Sequence, residues 1–313
     1  MEGVVDHHMR ALLTNIGGFD QCVTEFVRVV DKTLPECVFK RICPELANNS
    51  ITESRIPVTL QLLGGLPEAM ATNALRAIEL GAHSIDINFG CPSRFVNRKA
   101  GGSILLQEPE RLYKITHAVR QAVPNDITVS AKIRLGYEST ALALENANAV
   151  ETAGASFLTV HARTKIDGYK HPARWEWLSM INEALTIPMV ANGDINSVED
   201  FLRCQEISGC DQIMLGRGAI ARPDLARQIL ATVNGDEIDE MPWHETKQLV
   251  LEIIARMKSE HTHQRRILGR TKQWLVYLKA VYPQAKHLFA QLRQTKHLSE
   301  AEALLHTQVE NAA

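Results

Sequence analysis

Seven short apolar runs alternate with helical segments along most of the chain, and this alternation constrains the fold more than any other feature. The runs are residues 21–25, 58–62, 84–88, 129–134, 157–161, 189–192 and 212–216. Between them lie stretches of helical periodicity, among them 67–80, 110–123, 142–153 and 198–207. Gly81, Gly154 and Gly209 stand just past three of these stretches, where a left-handed helix end favours glycine, and a strand-like run follows at once. A repeated strand–helix unit with such short returns means a parallel sheet.

An eight-stranded barrel needs one strand more, and its natural place is before residue 21. The chain begins there with Met1-Glu2-Gly3-Val4-Val5-Asp6, which leaves no room for it. The expected fold is therefore α/β, a (β/α)8 TIM barrel whose first strand is truncated. A doubly wound sheet fits less well, because polar groups gather at nearly every strand end. Past residue 232 the rhythm changes. Asn234-Gly235-Asp236 and Met241-Pro242-Trp243 break the chain, and from His244 onward the helical periodicity is continuous. We expect a barrel domain over 1–235 and a small all-helical bundle over 236–313.

No apolar run is long enough to span a bilayer, and the start lacks the basic and apolar regions of a signal peptide. Six scattered cysteines form neither a C-x-x-C pair nor a zinc spacing. These features predict a cytoplasmic protein with no membrane contact and no metal. Charge is divided unevenly. Residues 256–296 hold ten Lys or Arg against one acid, Glu260, a net +9, so the rest carries −11 of the formal −2. A basic helical block on an acidic body suggests a polyanionic partner; a solvated helix face would read the same way.

The strand ends carry the chemistry. Ile85-Asp86-Ile87-Asn88-Phe89-Gly90-Cys91-Pro92-Ser93 reads as a buried strand that opens into polar and reactive groups. Pro92 cannot continue a ladder, so Cys91 falls on the loop at the strand's C-terminal tip. Other tips give Gln61; Lys132 and Arg134, which share a face; His161, Arg163 and Thr164; Asn192-Gly193-Asp194; and Gly216-Arg217-Gly218. Polar clusters at six successive tips imply one shared site. Barrel loops after the last two strands often bind phosphate. A phosphate site, an inward lysine and a glutamine facing a heterocycle suggest flavin mononucleotide (FMN). A phosphosugar barrel needs the same loops but not the thiol.

The same residues resemble the tRNA-dihydrouridine synthase family. The matching motifs are Met1-Glu2-Gly3-Val4, Thr24-Glu25-Phe26, Gln61-Leu62-Leu63-Gly64, Asn88-Phe89-Gly90-Cys91-Pro92-Ser93, Lys132-Ile133-Arg134, His161-Ala162-Arg163-Thr164, Asn192-Gly193-Asp194-Ile195 and Gly216-Arg217-Gly218-Ala219. Met241-Pro242-Trp243 and Lys272-Gln273-Trp274-Leu275 are similar to the bacterial C subfamily, which modifies uridine 16 of the tRNA D-loop. The family has an apolar strand ending Leu-Ala-Pro before Met-Glu-Gly, and that lead-in is missing here.

The resemblance implies reduction of FMN by NADPH or NADH, hydride delivery to C6 of uracil, and a proton from Cys91 to C5. A thiol with an unperturbed pKa near ~8.5 is mostly protonated at neutral pH and can act as such an acid. The target base would have to flip out of its stack. By resemblance Met1, Glu2, Gln61, Lys132, His161, Asn192, Gly193, Asp194, Gly216 and Arg217 hold FMN, while Asn88 and Arg134 hold the uracil. Arg28, Tyr169, Arg270, Lys272, Tyr277 and Arg293 match positions used on tRNA. A monomer is expected, because tRNA would occupy both domains. The alternatives are an FMN barrel acting on a free small molecule, or a tRNA-binding protein without catalysis.

Overall fold

The computed structural model describes residues 3–98 and 100–307. Before the first strand lies helix α1 (His7–Ile16). Strands β1 (Cys22–Val23) and β2 (Val27–Arg28) both pair in parallel with β3 (Val58–Leu63). Cys22 stands beside Val58 and Val27 beside Leu62, so β1 and β2 are two pieces of one strand position, interrupted at Thr24-Glu25-Phe26. The parallel order then runs through β4 (Ser84–Asn88), β5 (Thr128–Gly136), β6 (Phe157–Thr164), β7 (Met189–Asn192) and β8 (Gln212–Met214). Among the described residues no strand pairs β8 with β1, so the barrel is open on the side where a first strand would stand.

Helices α2 (Glu36–Ile42), α3 (Pro67–Glu79), α4 (Arg94–Asn97), α5 (Pro109–Ala122), α6 (Ala143–Thr152), α7 (Glu176–Ala184), α8 (Val198–Ser208), α9 (Arg217–Ala221) and α10 (Leu225–Asn234) fill the connections. All six residues of β3 are buried, as expected of a parallel strand covered on both faces. Gly209 ends α8 at φ +65°, the left-handed turn that its place in the sequence predicts. Several expected boundaries differ, most clearly at the last strands. β8 stops at Met214, and β6 runs on to Thr164 because β5 continues past an irregularity at Arg134 to set Gly136 beside Thr164.

A second core forms from α11 (Trp243–Ser259), α12 (Gln264–Leu278), α13 (Pro283–Leu292) and α14 (Leu298–Thr307). The predicted division after residue 235 coincides with the end of α10, where Gly235 is left-handed. However, α1 does not follow that division. Its apolar face (Met9, Leu12, Leu13) sits in the helical core. On its other side buried Arg10 makes a two-pronged bond to Glu45, at 2.9 and 2.8 Å, and donates to the Ile42 carbonyl. α1 thus joins the barrel wall to the helices. Among the described residues no helix is long and apolar enough to cross a membrane.

Candidate active site

Strand alternation and register build this site. Every second residue of a strand faces the barrel interior, and the ladders set those residues side by side. Gln61 stands beside Asp86, Asp86 beside Ser130, Asn88 beside Lys132, Arg134 beside His161, and His161 beside Asn192. Tips on five strands, β3 to β7, that look unrelated in sequence therefore stand side by side around the mouth, with β8 next to β7.

The bonds among these groups follow from that placement. Gln61 donates from Nε2 to Asp86 Oδ2 at 2.7 Å, and its Oε1 accepts from Asn88 Nδ2 at 2.7 Å. Asn88 Oδ1 accepts the Gly90 N–H at 2.9 Å, which fixes the start of the Cys91 loop. Asp86 also accepts from Ser130 Oγ at 2.7 Å, and full burial pushes its carboxyl pKa upward. Gln61 is thereby held with one amide hydrogen and one carbonyl lone pair still available to a ligand. Asp86 and Ser130 were missed in the sequence, although an acid between Ile85 and Ile87 in a buried strand is itself a signal.

Lys132 donates from Nζ to Asn192 Oδ1 at 2.9 Å, and Asn192 Nδ2 donates to the Met214 carbonyl at 2.7 Å. Burial, reinforced by the positive Arg134 and only partly offset by Asp86, pulls the Lys132 pKa from 10.5 down to about 7. His161 is held far below its ordinary pKa, first by burial and then by Lys132, Arg134, Arg163 and Arg217 around it. It is a neutral imidazole whose Nε2 lies 3.4 Å from Arg163 Nη1, an acceptor facing a permanent donor.

The other cations occupy the rim. Arg134 donates to the Gly90, Thr164 and Gly168 carbonyls at 2.9–3.1 Å. Exposed Tyr169 lies between Arg134, 5.2 Å from its ring centre, and Arg217, at 4.5 Å. Asp194, expected by resemblance to hold the cofactor, has its carboxylate engaged by protein groups. It pairs with buried Arg163, accepts the Ala173 N–H at 2.8 Å, and lies 3.8 Å from Arg217. Its contribution is to position two cations, and Arg163 is the more deeply placed of them.

Glycines shape the cradle. Gly193, at φ +125°, would with a Cβ press on the His161 ring at 3.2 Å. Gly216 precedes α9, and the next glycine, Gly218, brings that turn against the Ile195 carbonyl so closely that a Cβ would sit 2.1 Å away. Cys91 sits half-buried on its loop, its carbonyl accepting from Ser103 N at 3.0 Å. Opposite that loop the Arg28 guanidinium lies 4.1 Å from the centre of the exposed Phe95 ring, a residue that sequence reasoning did not single out.

Four other residues lie in the helical region. Arg270 is buried, and its guanidinium donates to the Gly3 and Val4 carbonyls, to Asp6 and to Gln273. These bonds tie α12 to the start of the chain and turn the group away from solvent. Lys272 donates to the Thr295 carbonyl at 2.7 Å, and Tyr277 packs on the helical core. Arg293 remains exposed, in an open groove shared with Lys279, Lys286 and Phe289. Met1 and Glu2 lie outside the described residues.

The whole chain, residues 1–313, matches the family described as Dihydrouridine synthase (Dus). The protein named tRNA-dihydrouridine(16) synthase from Shewanella oneidensis is 49% identical over 97% of this chain and 95% of its own length. Its namesakes from Aquipseudomonas alcaligenes and Vibrio vulnificus are 46% and 45% identical, over 97% and 98% of this chain and 96% and 95% of their own lengths. A solved 2-naphthoyl-CoA reductase complex superposes with a TM-score of 0.56 at 13% identity, over 74% of this chain and 47% of that one, a likeness of fold alone. With matches along its full length, the chain belongs to the dihydrouridine synthase family.

Proposed function

We propose that this protein reduces a uridine of tRNA to 5,6-dihydrouridine, with uridine 16 of the D-loop as its target. The observation that carries the reading is the ring of strand-tip groups that ends at Cys91, in a chain whose relatives bear that name. FMN is the cofactor that the ring fits. Among the described residues, partly buried Lys132 is hydrogen-bonded to the neutral Asn192, while Arg134, Arg163 and Arg217 outnumber Asp86 and Asp194 around it. Such a mouth favours an electron-rich, anionic guest. The space at Gly193 and the close turn at Gly218 leave backbone exposed to it.

Gln61, Lys132, His161, Asn192, Gly193, Gly216 and Arg217 would hold the cofactor, with Asp194 acting through Arg163 and Arg217; Met1 and Glu2 are assigned by resemblance. The chemistry that a bound FMN supplies is hydride transfer to C6 of uracil, after its own reduction by NADPH or NADH. The chain's residues supply the rest. Asn88 keeps one amide hydrogen and one lone pair for the uracil edge, and Arg134 adds a fixed cation beside it. Cys91 delivers the proton to C5 from its loop. Closure of this polar ring around a flipped base excludes water from the reacting carbons. Lys132 would supply a positive charge to balance FMN when it is reduced.

Arg28, Tyr169, Lys272, Tyr277, Arg293 and the basic groove around Arg293 contact tRNA in this reading, and Arg270 supports them from beneath by fixing α12. The protein acts as a monomer in the cytoplasm, with separate barrel and helical domains. Mass spectrometry of tRNA from a deletion strain tests the assignment. Loss of dihydrouridine at position 16, restored by the gene, is the expected result; an unchanged position 16 would refute the target.

A further inference from the structure

The cysteine spacing gives no metal site, but the fold creates one from residues that the sequence holds far apart. His7 and His8 are the first two residues of α1, and Glu260 caps the C-terminal end of α11. His7 Nε2 lies 3.3 and 3.4 Å from the two Glu260 carboxylate oxygens, and His8 Nε2 lies 3.4 Å from one of them. All three candidate ligand atoms fall within 4.8 Å of one another. Adjacent residues of a helix point about 100° apart, so convergence of both imidazoles on one carboxylate is not their default arrangement.

Hydrogen bonding explains these contacts poorly. Ordinary N–H···O bonds centre near ~2.9–3.0 Å, shorter than either histidine achieves here. Ligands about 2.0–2.1 Å from a tetrahedral zinc, by contrast, stand roughly 3.3–3.4 Å apart at the corners. The observed nitrogen–oxygen separations match those edges. His8 is buried, which holds its ring in place beside the Glu260 carboxylate. Glu260 is exposed, which leaves a fourth position open to water.

We propose that His7, His8 and Glu260 bind a divalent transition metal of the zinc class. Two imidazoles and one carboxylate suit zinc, and they suit magnesium badly because it demands oxygen ligands. The ion would join α1, which also grips the barrel wall through Arg10, to the corner between α11 and α12.

The test is titration of chelator-treated full-length protein with Zn2+ and Co2+, with Mg2+ as contrast. One equivalent of Zn2+ should bind and raise the melting temperature, and X-ray absorption should show nitrogen and oxygen ligands only. Glu260→Gln, an exposed substitution that leaves the fold intact by circular dichroism, should weaken binding at least tenfold and remove the thermal shift. His8→Ala should do the same. Sulfur ligation, binding unchanged in both variants, or no saturable Zn2+ uptake would each overturn the proposal.

Discussion

The barrel mouth and the basic helical face are both rich in cations, yet they handle charge in opposite ways. At the mouth, Lys132, Arg134 and Arg163 are set by strand register and bonded to named partners, with Arg134 and Arg163 withdrawn from solvent and Lys132 partly so. On the helices, Lys279, Lys286 and Arg293 border an open groove. Desolvation alters a cation's chemistry: together with Arg134 it lowers the Lys132 pKa to about 7. An exposed cation contributes a screened field that any polyanion can use. Arg270 marks the limit of the comparison: it belongs to the basic block by sequence and to the buried class by structure.

The largest effect should come from the mouth. Cys91→Ala removes the proposed proton donor and should lower turnover by about 10²–10⁴-fold, with tRNA affinity unchanged, in a single-turnover assay. A loss of less than tenfold would leave Cys91 without that role. Next is Lys132→Met. It removes a partly buried, poorly compensated cation, so the flavin-free protein should gain about 1–3 kcal/mol in denaturant unfolding while turnover collapses.

The same lysine sets a pH dependence. Its native pKa, about 7, lies below the unfolded value of 10.5, so the unfolded chain binds more protons between those limits and stability should rise with pH across them. FMN that favours charged Lys132 must take up a proton above pH 7. Its affinity should therefore fall by up to about tenfold per pH unit from 7 towards 9, and Lys132→Met should flatten the profile.

Arg270→Met tests the boundary between the two regions. It should cost about 1–3 kcal/mol of stability by abandoning the Gly3 and Val4 carbonyls, with little change in the salt dependence of tRNA binding. Weaker tRNA binding at unchanged stability would instead place Arg270 with the exposed cations. The smallest effect is expected from Lys286→Gln. Stability should stay constant, and the slope of log affinity against log salt should fall by about 0.7–0.9 if that lysine meets a phosphate.

Sequence alone determined the parallel α/β architecture and the set of polar tips. Those features depend on local periodicity and on residues that cannot occupy a buried strand without a purpose, such as Lys132 and Arg134. Family motifs then supplied chemical roles that no periodicity contains. Tertiary structure alone decided which of these groups touch. It placed Asp194 on Arg163, turned Arg270 inward, moved α1 into the helical core and set His7 and His8 against Glu260. The physical reason is range. Strand and helix periods act over a few residues, whereas the burial and pairing of a charge depend on elements that chain closure brings together from hundreds of positions away.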